Sequence, residues 1–293
     1  MTQVRRKLSL VLWTLLVMAT VSASGQDLEK TLNAQYKDKI LALRHPRQVN
    51  KQEYDASGAV VGDNSEGPWT LYGRIRVKQI QVKADQMEIE GKRVPYSPDN
   101  ETHQLAPSKD GEKARLTIRL DKPPASANEA TEILGRVFAL SNEELVKSAP
   151  EYWRHYLEVK LGLAPDDRRV TDPQAKNARR APDKPMEKLG NDGEGVFTVG
   201  EGTLPPKVTY QPEPEFSEEA RKAQFQGTVG VDMVVDGMGV VRRIQIVRPA
   251  GMGLDEKAVQ GISAWRFQPA TRQGQHVAVV LYVEVQFALY KGR

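Results

Sequence analysis

The sequence predicts an α+β protein of two domains. An N-terminal α+β module with an antiparallel sheet and a C-terminal α-β-β-α-β module are joined by a disordered linker. Three observations carry this reading. Apolar and polar residues alternate with period two from Tyr54 to about Leu120. Helical and strand patterns return between Ser217 and Phe287, and a proline- and charge-rich stretch separates the two. A chain of 293 residues accommodates two modest domains. The segments read as a leader at 1–25, the first module at 26–163, the linker at 164–204 and the second module at 205–293.

The leader has the layout of an export signal. Arg5-Arg6-Lys7 precedes an apolar run from Leu8 to Val21, and Val21-Ser22-Ala23 or Ala23-Ser24-Gly25 supplies small residues for cleavage. The run falls short of the roughly 20 apolar residues of a spanning helix, so a signal peptide is expected, with an uncleaved anchor as the alternative. Charged residues at 27% and apolar residues at 39% fit a soluble globular chain. The formal charge of +4 loses three positive residues with the leader, so nothing argues for nucleic acid as a partner. The absence of cysteine excludes disulfides, thiolate metal sites and a cysteine nucleophile.

In the first module, Leu28, Leu32, Tyr36, Ile40 and Leu43 recur at helical spacing, and Pro46 closes the run. Leu71 to Lys83, Met87 to Val94 and Ala114 to Leu120 alternate as antiparallel strands with one wet face. Helices are expected over Asn128 to Leu140 and Glu143 to Leu161. Eight of the 18 prolines fall between Pro165 and Pro214, in the stretch Ala164 to Glu215 that holds the linker, with few large apolar residues. Such a composition does not offset ordering entropy, and as a coil it reaches on the order of 40 Å.

The second module opens with Ser217 as N-cap of a helix from Glu218 to Gln224, ended by Gly227. Val229 to Val235 and a strand through Ile244 and Ile246 flank the turn Asp236-Gly237-Met238-Gly239. Pro249 to Gly253 is a loop, and Asp255 is expected to cap a helix running to about Trp265. A final strand runs from Val277 to Phe287.

Catalytic signals are poor. His45, His103, His155 and His276 are scattered, and none pairs with an acid or another histidine at ligand spacing. No nucleophile elbow, phosphate loop or zinc-protease motif is present, so no enzyme, metal or cofactor is expected. Asp85, Glu88 and Glu90 read as a solvated strand face. Pro68 to Gly73 and Glu151-Tyr152-Trp153 either pack on the sheet or line a ligand pocket.

Several short runs occur in a specific order: Pro212-Glu213-Pro214-Glu215-Phe216-Ser217, Gln226-Gly227-Thr228-Val229, Val234-Val235-Asp236-Gly237, Leu254-Asp255 and Trp265-Arg266-Phe267-Gln268-Pro269-Ala270. With the valine-rich last strand, this stretch resembles the C-terminal domain of TonB-family proteins, the periplasmic energy transducers of Gram-negative bacteria. It departs at Glu213, where glutamine is usual, and at Glu215-Phe216-Ser217, where Tyr-Pro is usual. The resemblance implies a periplasmic binding module, or one anchored in the inner membrane and facing the periplasm. Its implied partners are outer-membrane TonB-dependent transporters, which offer a short box peptide, and an inner-membrane motor complex if the chain is anchored. A homodimer, by self-association through the same exposed edge, is a separate structural reading. The implied pairing strand is Val277, Ala278, Val279, Val280, Leu281, Tyr282, Val283, Glu284, Val285, Gln286 and Phe287, to which a guest adds as a strand. The alternative is a ligand-binding or enzymatic N-terminal module tethered by the TonB-like domain.

Overall fold

The computed structural model describes residues 25–62, 64–99, 105–109, 111–172 and 195–289. The expected signal segment before Gly25, and the middle of the expected linker at 173–194, lie outside the described residues.

Helix α1 (Gly25–Tyr36) buries Leu28, Leu32 and Tyr36. The helix predicted to continue to Leu43 stops there, and Ile40–Leu43 is strand β1. Asp38 takes a left-handed φ of 61°, and its N–H donates to the Val77 carbonyl instead of continuing the helix. A short apolar run satisfies either period, and here sheet pairing decides. Strands β2 (Lys51–Tyr54) and β3 (Val60–Val61) follow. Residues predicted to begin a strand at Leu71 instead form the single turn α2 (Trp69–Tyr72), opened by Pro68. Strands β4 (Arg74–Val82), β5 (Gln86–Arg93), β6 (Tyr96–Pro98), β7 (Leu105–Pro107) and β8 (Lys113–Arg119) come next. Helix α3 (Ala127–Val137) is capped by Ser126 and gives way to β9 (Phe138–Ala139), earlier than the predicted end at Leu140. The helix predicted over Glu143 to Leu161 is two, α4 (Asn142–Ser148) and α5 (Glu151–Lys160). Pro150 lacks an N–H, and Ala149 before it is extended.

The seven strands order as β3-β2-β8-β5-β4-β1-β9. Every pair is antiparallel except β2 with β8, which corrects the expectation of a purely antiparallel sheet. Burial alternates strictly along β5. The core joins Val77, Ile80, Ile89 and Leu116 of the sheet to Leu32 of α1 and Leu134 of α3. On the strand β5, Glu88 and Glu90 pair with Lys83 and Arg115, as a charged face does.

Both ends of the expected linker are built into the fold. The turn α6 (Arg168–Thr171) buries Arg169 and Val170. Strands β10 (Phe197–Thr198), β11 (Thr203–Leu204) and β12 (Lys207–Tyr210) precede α7 (Glu218–Lys222). Ser217 caps α7 as predicted, accepting the Ala220 N–H. Gly227, predicted to end that helix, instead opens β13 (Gly227–Val235); Gln224, with a φ of 50°, makes the turn. β14 (Val241–Arg248) returns after the Asp236 turn, whose carboxylate accepts the Met238 and Val240 N–H groups. Gly239 is required there, because at its φ of 78° a Cβ would collide with the Phe267 carbonyl. Helix α8 (Leu254–Ser263) begins after Gly253, so Asp255 is not its cap. The Asp255 side chain is fully buried and accepts the Ala250 and Gly251 N–H groups at 2.8 and 2.7 Å, fixing the preceding loop. Strands β15 (Arg266–Gln268), β16 (Ala270–Arg272), β17 (Gln275–Val277) and β18 (Val279–Phe287) complete the chain. The predicted last strand is thus interrupted at Ala278. The main elements keep the α-β-β-α-β order around a core of Val231, Met233, Ala258, Ile262, Trp265 and Phe267.

The two modules share a second core. Trp69, Trp153, Tyr156 and Leu157 cluster with Ile246 and Val247 of β14, and the rings of Trp69 and Trp153 lie 5.6 Å apart. Arg169 donates to both oxygens of Asp232 at 2.8 and 2.6 Å, crossing from α6 to the centre of β13. Glu256 of α8 accepts the Trp69 N–H at 2.9 Å and the Trp153 indole N–H at 3.5 Å. Burial pushes the Asp232 carboxyl up, and Arg169 opposes that shift. Burial, then the neighbouring Glu256, push Asp255 up to about 8.

Two outcomes are expected. Arg169→Met leaves Asp232 buried without a counter-charge and costs about 3–5 kcal/mol in denaturant unfolding, while Arg169→Met with Asp232→Leu recovers most of it. Full retention of stability in the single variant would mean that the pair does not hold α6. For Asp255, a raised folded pKa contributes stability that is fully present below the unfolded value of about 4 and lost as pH rises through about 8. Melting temperature should therefore fall between about pH 4 and pH 8 and level off above, and Asp255→Asn should flatten that fall. An unchanged slope in the variant assigns it to another group.

Candidate functional site: the edge of the last strand

The four-stranded C-terminal sheet orders as β10-β18-β13-β14. β18 pairs antiparallel with β13 along its whole length, from Val279 opposite Val235 to Phe287 opposite Gly227. Its side chains split by strand alternation. Val279, Leu281, Val283, Val285 and Phe287 face the domain core, and Val280, Tyr282, Glu284 and Gln286 face the other way.

The second edge of β18 is only begun. β10 lies parallel beside it and pairs with Val279 and Val280 alone. Among the described residues, no strand pairs with that edge from Leu281 to Phe287. The direction of the outward groups follows from one bond. Phe197 N–H donates to the Ala278 carbonyl at 2.9 Å, so the polar groups of Ala278 point toward β10. In an antiparallel ladder the N–H and C=O of one residue point the same way, and successive residues alternate. Val280, Tyr282, Glu284 and Gln286 therefore aim outward, while Leu281, Val283 and Val285 aim at β13.

Side chains near the edge are fixed by local contacts. Tyr282 donates its hydroxyl to Glu284 at 3.1 Å, and Arg248 lies 3.8 Å from the same carboxylate. Burial, then Glu284, push the Tyr282 hydroxyl up to about 12. Gly230 of β13, paired with Glu284, leaves room for this tyrosine, because a Cβ there would meet the Tyr282 hydroxyl oxygen at 2.5 Å. Of the residues expected to form the pairing strand, Val279 to Phe287 are brought into one ladder. Val277 belongs instead to the β16–β17 hairpin, opposite Ala270, and Ala278 joins the two strands. The contribution of Phe197 and Thr198 was missed, since a two-residue strand inside a proline-rich stretch carries no period to read.

The aromatic stretches expected to pack or to line a pocket do both. A cleft of about 710 Å³ between the modules is walled by Pro68, Trp69, Tyr152, Glu219 and Lys257. Trp153 is fully buried beneath it. His155 finds an acid after all: its Nε2 lies 3.0 Å from Asp167, which also holds Arg169. Burial disfavours the Asp167 carboxylate, but hydrogen bonds from His155 and Arg169 outweigh this and hold it well below the usual range. The pair is a strut for α6 and faces no cavity described above. Sequence spacing could not reveal it, because the fold rather than a helix turn joins residues 155 and 167. Among the described residues, no group of His, Asp or Glu could hold a metal ion, and no helix is long and apolar enough to cross a membrane.

Residues 212–289 match the family described as Gram-negative bacterial TonB protein C-terminal. The chain is 30% identical over 86 residues to protein TonB of Vibrio cholerae serotype O1. That alignment covers 29% of this chain and 35% of the relative, so only about a third of that protein's length is spanned. A solution NMR structure of the Pseudomonas aeruginosa TonB CTD is 22% identical, covers 32% of this chain and 93% of its own, and gives a TM-score of 0.26. The segment that carries the half-open strand β18 is a TonB C-terminal domain.

Proposed function

We propose that this protein serves envelope transport as a TonB-like periplasmic binding module, taking an extended segment of an outer-membrane transporter as an added strand on β18. The observation that carries the reading is the edge of β18 from Leu281 to Phe287, with which no strand pairs among the described residues, in a domain whose family is one of energy transducers. Main-chain hydrogen bonds supply the affinity in this mode, and alternate side chains supply selectivity. Tyr282 and Glu284 are placed to give that selectivity. β10 marks where the guest must stop, because it already occupies the edge at Val279 and Val280. The chemistry is binding and not catalysis. A second copy of the chain is the competing occupant of the same edge, and a leader left uncleaved would place the module on the inner membrane, within reach of a motor complex.

Proline separates the two sets of main-chain groups, since it removes one N–H and fixes φ. Glu284→Pro deletes an outward donor at an exposed residue. It is expected to leave the melting temperature within a few degrees of the parent and to abolish binding of a transporter-box peptide in titration calorimetry. Val283→Pro deletes a donor to β13 and is expected to unfold the domain. Sedimentation of the full chain, alone and with peptide, distinguishes a guest from a second copy. A folded Glu284→Pro protein that still binds the peptide with parental affinity would sink the strand-addition mechanism.

A further inference from the structure

A second cavity, of about 500 Å³, lies in the N-terminal module and is independent of the β18 edge. Its volume falls in the ordinary range for small-molecule sites. One part of its wall is aliphatic, with Leu41, Leu140, Leu145 and Leu157. Three cations, Lys39, Arg74 and Lys160, also line it, and no aspartate or glutamate appears among the described residues of the wall.

Arg74 is the unusual member. It is 6% exposed, and its guanidinium carbon sits between the Trp69 ring at 3.9 Å and the Tyr96 ring at 3.8 Å. The stacking fixes the plane of the fork. Yet Nη1 is buried and has no hydrogen-bond partner among the described residues. Burial lowers its pKa to about 10, and among the described residues the phenols of Tyr96 and Tyr156 oppose that shift. A buried cation without a counter-charge is costly, and breaking such a pair elsewhere in proteins costs several kcal/mol. Arg169, by contrast, is buried with two carboxylates at hand. The fold has therefore stacked a cation between two aromatic rings, beside an aliphatic chamber, with no acid for it among the described residues of the wall.

We propose that this cavity binds a small amphiphilic anion, an aliphatic chain with a single anionic head, whose head group pairs with the Arg74 fork while its tail fills the leucine-lined part. A planar guanidinium suits a carboxylate or a phosphate oxygen pair. Lys39 and Lys160 add favourable charge at the same wall.

The test uses the full chain and four probes: decanoate, monodecyl phosphate, decan-1-ol and acetate, each below its micelle concentration. Calorimetry is read alongside the fluorescence of Trp69, which stacks on Arg74. Decanoate or the phosphate should bind at least tenfold more tightly than decanol, and acetate not measurably. The better of the two anions identifies the head group. Arg74→Gln should remove the preference of anion over alcohol. Leu145→Trp, which fills the chamber without touching the stacked cation, should abolish binding of all chains while the melting curve stays cooperative. Should Arg74→Gln fail to fold, the comparison of decanoate with decanol in the parent decides the charge requirement. Equal affinity for decanoate and decanol, no binding of either anion, or unchanged affinity in folded Leu145→Trp would each overturn the proposal.

Discussion

A single buried charge organises the contact between the two halves of this molecule. Asp232 sits in β13, the strand flanked on both sides within the C-terminal sheet, and alternation turns it away from the core formed by Val231 and Met233. It is 1% exposed. A carboxylate in that position requires a cation, and Arg169 provides one with two hydrogen bonds. To deliver Arg169, α6 must lie on the sheet, and α5 before it must run beside β14. Trp153 and Trp69 then close the apolar seam, and Glu256 clasps both tryptophans from the opposite module.

That arrangement determines which part of the sheet stays available. α8 and its loop cover one face, and α5 packs along the edge strand β14. The remaining edge belongs to β18, and β10 shortens it from one end. An exposed strand edge invites pairing of any kind, so its length and its neighbours matter as much as its sequence. Here the edge from Leu281 to Phe287 remains, flanked by a tyrosine-glutamate pair that limits which side chains fit. The N-terminal module, packed against the same sheet, is thereby held at a fixed position relative to that edge.

Much of the local structure was legible in the residues. Ser217 caps its helix because a hydroxyl beside free N–H groups has that property wherever it occurs. Asp236 turns its hairpin, and β5 and β8 alternate as their sequences do. The misplaced elements are those where two periods fit one short run. Ile40–Leu43 and Phe138–Ala139 satisfy a helix equally well and become strands by pairing with each other across the sheet. Asp255 looks like a cap and acts as a loop clamp, because Gly253 with its positive φ already starts the helix.

The sequence by itself determined the α+β class and the order of the C-terminal elements, while the pairing role of the last strand came from its resemblance to a family. Class and order rest on contacts between near neighbours, whose periodicity and turn chemistry are written in the chain. Tertiary structure alone decided that 164–172 and 195–204 are ordered, since an ion pair and a two-residue strand hold them instead of apolar bulk. It alone decided that the modules share a core and that Arg74 is stacked between Trp69 and Tyr96. The direction of each N–H on β18 likewise awaited the bond from Phe197. Such facts depend on residues far apart in sequence meeting in space, and no local pattern encodes that meeting.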